Sequence, residues 1–142
     1  MGRIVAIDYG QKRTGIAVTD DLQIIATGLT TVRTLDLLDF LKDYTGKNIV
    51  ECFVVGEPKQ MNNTASESAV YIKPFVKRLA ADFPGIPVKR MDERFTSLIA
   101  ARTIREAGLK KKDRQDKALV DTVSATIILQ SFLEKINSET AK

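Results

Sequence analysis

Three carboxylates stand at places where an ordinary soluble protein seldom puts one. Asp8 ends the apolar run Ile4 to Ile7. Glu93 sits in "MDERFTS", after a short strand pattern and before a helical one. Asp121 lies in "ALVDTVSATIILQSF", where Ala125, Ile128 and Phe132 follow it at helical spacing, so it shares a stripe with core residues. Singly, each has a bland explanation: a turn former, a solvated loop charge, a carboxylate favoured near a helix start. Jointly, three converging carboxylates repel one another, and at least one takes up a proton unless a cation joins them. Mg²⁺ or Mn²⁺ accepts oxygen ligands and binds alongside phosphate. Two such ions roughly 3.5–4 Å apart can activate a water and stabilise the leaving oxygen of a phosphodiester. In that chemistry Asp8, held on a rigid strand end, is the carboxylate shared between the metals.

The remaining residue types narrow the choice of tools. Histidine is absent and cysteine occurs once, which removes Ser–His catalysis, an imidazole base, and zinc sites built on imidazole or thiolates. Cys52, inside the apolar run Ile49 to Val55, reads as a small buried hydrophobe. An enzyme of this composition works with carboxylates, Lys, Arg and a hard metal ion. The net charge of +4 hints at a polyanionic partner.

The elements that must position these groups can be read along the chain. Residues 3–8 and 14–19 form two strands joined by a short loop holding Gly10, Lys12 and Arg13, and a third strand is expected at 23–31. Leu35, Leu38 and Leu41 stand at helical spacing. "IVECFVV", 49–55, is a strong strand closed by Gly56 and Pro58. "TASE" has the form of a capping box, Thr64 with Glu67, opening a helix to about residue 81 that Pro74 should kink or split. A short strand at 86–91, a helix from Ser97 to Ala107 stopped by Gly108, and a final helix at 116–136 complete the chain. The order βββαβαβαα, antiparallel for its first three strands and then parallel, predicts an α/β fold: a mixed five-stranded sheet flanked by helices, the ribonuclease H-like layout. Its 142 residues suit one domain, 1–142, with 137–142 as a frayed tail. No apolar stretch approaches a membrane span, the N-terminus enters a strand pattern at once, and the cytoplasm is the expected compartment.

The chain resembles the YqgF family, also called RuvX, small bacterial proteins of the ribonuclease H-like superfamily related to Holliday-junction resolvases. The blocks carrying the resemblance are "IDYGQKRTGIAVTD", "VVGEPKQMNNT", "DERFTS" and "KALVDTVSATIILQSFL", in order over nearly the whole chain. The resemblance implies a catalytic, metal-binding triad of Asp8, Glu93 and Asp121, with Lys12 and Arg13 as a basic pair in the first hairpin and Arg94 and Thr96 in the "DER-x-T" block. It also implies a role in maturing the 5′ end of 16S ribosomal RNA, with Holliday-junction resolution as the alternative. Two positions depart from the family pattern. Glu57 stands where an apolar residue is usual, and Asn62-Asn63 where Asp-Gly is usual. Glu57 is either a fourth metal ligand, a competitor of Glu93, or a surface loop charge.

Between Arg105 and Lys117 six basic residues face three acidic ones. Lys110, Lys111, Lys112 and Arg114 read either as a solvated connection or as a phosphate-gripping arm beside the metals, with Lys12, Arg13 and Arg94 extending the track. No paired-aromatic platform is visible in the sequence: Tyr9 alone adjoins a proposed ligand, and Tyr71 and Phe75 read as helix packing residues. Recognition by backbone and shape is therefore expected, with structured nucleic acid, a precursor rRNA or branched DNA, as partner and the protein as a monomer or weak homodimer. Two other readings compete. "DYGQKRTG" has the outline of a phosphate loop of actin-like kinases, but those need a second domain that 142 residues cannot hold. The other is a non-catalytic RNA- or ribosome-binding protein on a nuclease scaffold.

Overall fold

The computed structural model describes residues 2–57, 69–92 and 117–140. Strand β1 (Arg3–Asp8) is followed by β2 (Arg13–Thr19), β3 (Ala26–Arg33), a 3-10 turn (Thr34–Asp36), helix α1 (Leu37–Lys47), β4 (Val50–Glu57), helix α2 (Ala69–Asp82), β5 (Val88–Asp92) and helix α3 (Lys117–Thr140). The five strands form one sheet in the order β3-β2-β1-β4-β5. β1 pairs antiparallel with β2 and parallel with β4, β2 pairs antiparallel with β3, and β4 pairs parallel with β5.

β1 is central and covered on both sides, which is why it reads as an unbroken apolar run rather than an alternating one. Val5 and Ile7 face a cluster with Leu37, Leu41, Ile72, Phe75 and Leu79 from α1 and α2. Ile4 and Ala6 face a second cluster with Ala125, Ile128, Leu129 and Phe132 from α3. The Asp121 stripe expected from sequence is thus a packing stripe: Ala125 and Ile128 are fully buried and Phe132 nearly so. Cys52 is buried in the α3 cluster, as its surroundings indicate.

α3 approaches the sheet closely because the residues beneath it are small. Ala6 and Ala17 lie in the contact. At Gly28 of β3, a Cβ would stand 2.6 Å from Thr122 Cγ2 and 3.0 Å from Thr126 Oγ1. A side chain there requires Thr122 to shift.

Several elements differ from the sequence reading; β5 spans Val88–Asp92 and α3 runs on to Thr140, past the expected end at 136. The third strand begins at Ala26 rather than 23, because Asp20 turns the chain first: its Oδ1 accepts the N–H groups of Ile24 and Ile25 at 2.8 and 2.9 Å, and Gln23 takes a φ of 59°. In the leucine run, Leu37 and Leu41 are buried and Leu35 is 83% exposed, since a 3-10 turn precedes α1 and shifts the buried stripe onto Leu37. α2 continues through Pro74 as one helix instead of splitting. A helix-interior proline costs about 3 kcal/mol. Burying Ile72, Phe75 and Leu79 on the sheet stabilises by about 1.5–3 kcal/mol each and outweighs it. The expected capping box at Thr64 and the helix from Ser97 lie outside the described residues. Among the described residues no helix is long and apolar enough to cross a membrane.

Candidate active site

In a sheet whose central strands run parallel, ligands bind outside the carboxyl ends of those strands. Asp8 is the last residue of β1, partly buried, with Gly15 of β2 opposite it. On the other side Ile7 is in register with Val55 of β4. Two residues further along β4, Glu57 is in register with Asp92, the last residue of β5. The carboxyl ends of β1, β4 and β5 therefore lie along one edge, and each ends in an acidic residue.

α3 reaches the same edge. Gly15 is opposite Thr31 of β3, so Asp8, Gly15 and Thr31 form one cross-strand row. The hydroxyls of Thr31 and Thr122 meet at 2.7 Å, and Thr126 Oγ1 donates to the Thr122 carbonyl at 2.9 Å. The helix turn containing position 121 is thereby fixed over the row that begins with Asp8. Sequence reading missed this hydroxyl pair and the Gly28 notch, for the partners are separated by about ninety residues and neither carries a local signature.

The loop after Asp8 is held just as firmly. Gly10 has the Arg13 carbonyl oxygen 2.3 Å from where a Cβ would stand, which only glycine permits. Thr34 closes the loop from the far end of β3: its N–H donates to the Lys12 carbonyl at 3.0 Å and its hydroxyl to the Gly10 carbonyl at 2.6 Å. Lys12 is exposed at this loop. Arg13 opens β2 directly opposite Arg33, which ends β3. The two guanidinium-bearing residues thus stand side by side at the end of the hairpin. Arg33 is a basic residue that the sequence did not single out, because its place beside Arg13 follows only from the strand register.

Tyr9, next to Asp8, stacks on Phe75 of α2 with ring centroids 4.5 Å apart and planes at 22°. Burial raises its hydroxyl above the usual tyrosine range. The fold thus makes an aromatic pair that was not apparent from spacing, while Phe75 remains a buried helix-face residue as expected.

The remaining expectations divide by location. Asp121 lies in the second turn of α3 and Glu57 at the end of β4. Glu93, Arg94, Lys110, Lys111, Lys112 and Arg114 lie outside the described residues. Met91 of β5 packs against the α3 cluster, on the side of the sheet that Ile4 and Ala6 face.

A mixed sheet with a central parallel pair, an antiparallel hairpin on one side and a long helix crossing it is a ribonuclease H-like fold. T. thermophilus RuvC in complex with Holliday junction substrate has this fold in common with the chain, at a TM-score of 0.55 and 17% identity, over 96% of this chain and 97% of that one. The family model described as "RuvX: Holliday junction resolvase" matches residues 2–135. Proteins named "Putative pre-16S rRNA nuclease" are similar over most of their length. The one from Bacteroides thetaiotaomicron is 64% identical over 134 residues, covering 94% of this chain and 97% of its own. That from Porphyromonas gingivalis is 63% identical over 134 residues with the same coverage, and that from Flavobacterium johnsoniae 59% identical over 133 residues, 94% of this chain and 96% of its own. The chain belongs to the RuvX family.

Proposed function

We propose that this protein is a metal-dependent endonuclease that hydrolyses phosphodiesters in nucleic acid, and that its substrate is the 5′ end of precursor 16S rRNA. The observation that carries the reading is the acidic edge: Asp8 ends the central strand in the row over which Thr31 and Thr122 fix α3. The names of the similar proteins favour rRNA over DNA.

The donor chemistry fits Mg²⁺ or Mn²⁺. The ligands on offer are carboxylates, with neither imidazole nor a thiolate near them, since the chain has no histidine and Cys52 lies in the α3 cluster. Asp8, Glu93 and Asp121 would hold the metal. Bound there, it would supply Lewis-acid activation of water and charge stabilisation at the scissile phosphate, in the two-ion form where two are held. Asp8 contributes a carboxylate whose direction the strand pairing fixes. Asp8 stands two positions beyond Ala6, whose parity is that of the α3 side, and Glu93 is taken from the family pattern. Glu57 stands where the family pattern usually has an apolar residue, and we assign it a role outside the metal set. Lys12, Arg13 and Arg33 hold phosphates flanking the cut from the hairpin side, and Arg94, Lys110, Lys111, Lys112 and Arg114 add further phosphate contacts.

Resolution of branched DNA is the second reading, favoured by the description of the family model that matches the chain. Purified protein mixed with a precursor 16S 5′-leader RNA and with a four-way DNA junction, each with Mg²⁺, Mn²⁺ or chelator, separates the two. Metal-dependent cutting of the RNA alone is the expected result. Cutting confined to the junction transfers the protein to the resolvase class. Binding of RNA with no cutting by any metal overturns the catalytic reading in favour of a binding protein.

A further inference from the structure

Beside the acidic edge, on the side of the sheet away from α3, a groove of about 530 Å³ opens between α1 and α2. This is within the range of roughly 300–1,000 Å³ common to small-ligand sites. It starts at Tyr9, the residue after Asp8, and the hairpin clamp Thr34 forms part of its wall. Leu35, Leu38, Pro74 and Phe75 make it apolar, and Leu35 is left 83% exposed at its lip. Leu35, Leu38 and Pro74 extend the apolar surface of the Tyr9–Phe75 pair out to the rim.

The charge at the rim indicates by what. Lys42 and Arg78 stand at the groove and share one carboxylate, Asp82, at 4.0 and 3.9 Å, longer than a close charge-assisted hydrogen bond. Lys73 and Lys77 continue along the exposed face of α2. Among the described residues, the acidic groups at the groove and its lip are Asp39, Asp82 and Asp36. An apolar cleft with a π-faced wall and a cationic rim suits a nucleobase attached to phosphates better than an apolar peptide, which would leave the cations uncompensated.

We propose that this groove receives one unpaired base of the single-stranded segment next to the cut, packed against Tyr9, Leu35, Leu38 and Pro74 with Arg78 against its edge, while the neighbouring phosphates lie along Lys73 and Lys77. The inference deepens the nuclease reading and rests on it. The groove then fixes the distance between a flipped-out base and the scissile bond, which adds register to an enzyme whose other contacts are to backbone.

The test measures binding of a short single-stranded RNA oligomer to the full chain in chelator, so that cutting is off, with an abasic site walked along the oligomer. For the wild type, one position is expected to cost about tenfold in affinity when its base is removed, and the others little. In the double variant Leu35→Gln/Arg78→Gln that penalty disappears. Both side chains are exposed, at 83% for Leu35 and 71% for Arg78, so the fold is retained. A flat abasic profile in the wild type, or a penalty unchanged in the double variant, overturns the inference and leaves the groove to a protein partner. Asp8→Asn is expected to show the wild-type profile. A flat profile together with Asp8-dependent cleavage refutes the groove alone, whereas a retained profile with Asp8-independent cleavage refutes the active-site reading instead.

Discussion

At the scale of single residues, the most informative position is Asp8: the sequence places it at the end of a buried strand, where a charge is unusual, and the structure finds it there. For Asp121 the stripe it shares in the sequence was legible, since Ala125, Ile128 and Phe132 are all buried, and the metal-binding role of both residues is what we propose. Arg33 was not legible, since opposition to Arg13 depends on pairing between strands. Cys52 gives an independent check on the packing beneath α3. Burial, chiefly, with Glu51 adding to it against Lys89, pushes its thiol up to about 11. The thiolate is the reactive form, so alkylation at pH 8 is expected to run roughly ten- to a hundredfold slower in the folded protein than in denaturant. The sign for stability follows from the raised value. The contribution is present in full below the ordinary thiol value of 9.0 and is lost as pH rises toward about 11. Cys52→Ala is expected to flatten that alkaline decline in a chemical-denaturation series. Labelling at equal rates in both states would place Cys52 outside the core.

At the scale of elements, the strands of the first hairpin and the final helix could be located from apolar runs, but how closely they approach could not. Gly28 looks like an ordinary strand glycine in the sequence. Only the docked helix shows that Thr122 occupies the space of its missing side chain. Likewise, Leu35 and Leu37 are equivalent in a periodicity argument until the 3-10 turn decides which one is buried. Gly28→Ala is therefore expected to destabilise by about 1–3 kcal/mol, because the new methyl group overlaps Thr122 Cγ2. Adding Thr122→Ser removes that methyl, keeps the hydroxyl for Thr31, and should recover most of the loss. Denaturant melts of the two variants make the comparison. No recovery would mean that the helix is not seated on the sheet as described. Cleavage should fall in Gly28→Ala by more than RNA binding does, since the displaced helix turn carries Asp121.

At the scale of the whole molecule, the sheet separates two jobs. One face, covered by α3, carries the row from Asp8 to Thr31, and the other carries the groove behind Tyr9. Basic residues border the carboxyl edge from the hairpin, while Lys110, Lys111 and Lys112 belong to the stretch leading into α3. Phosphate contacts should therefore dominate affinity. Replacing the three lysines with glutamine is expected to lower the slope of log affinity against log salt by about 2 for single-stranded RNA, at roughly 0.7 per phosphate. An unchanged slope would show that this stretch touches no phosphate. The class of fold was readable at this scale because strand order follows from connection lengths. The site was readable only in part, since convergence of residues so far apart along the chain is a property of the folded sheet.

The central claim is that Asp8, Glu93 and Asp121 act together on a metal at the carboxyl edge. Single-turnover cleavage of the precursor 5′-leader RNA by the wild type, Asp8→Asn, Glu93→Gln and Asp121→Asn, with Mg²⁺ and with Mn²⁺ and with binding measured in parallel in chelator, tests it most directly. The expected result is loss of at least about a hundredfold in rate for each variant, consistent with the several kcal/mol that metal-ion catalysis supplies, with RNA binding kept. Cleavage at the wild-type rate by any of the three would contradict the claim.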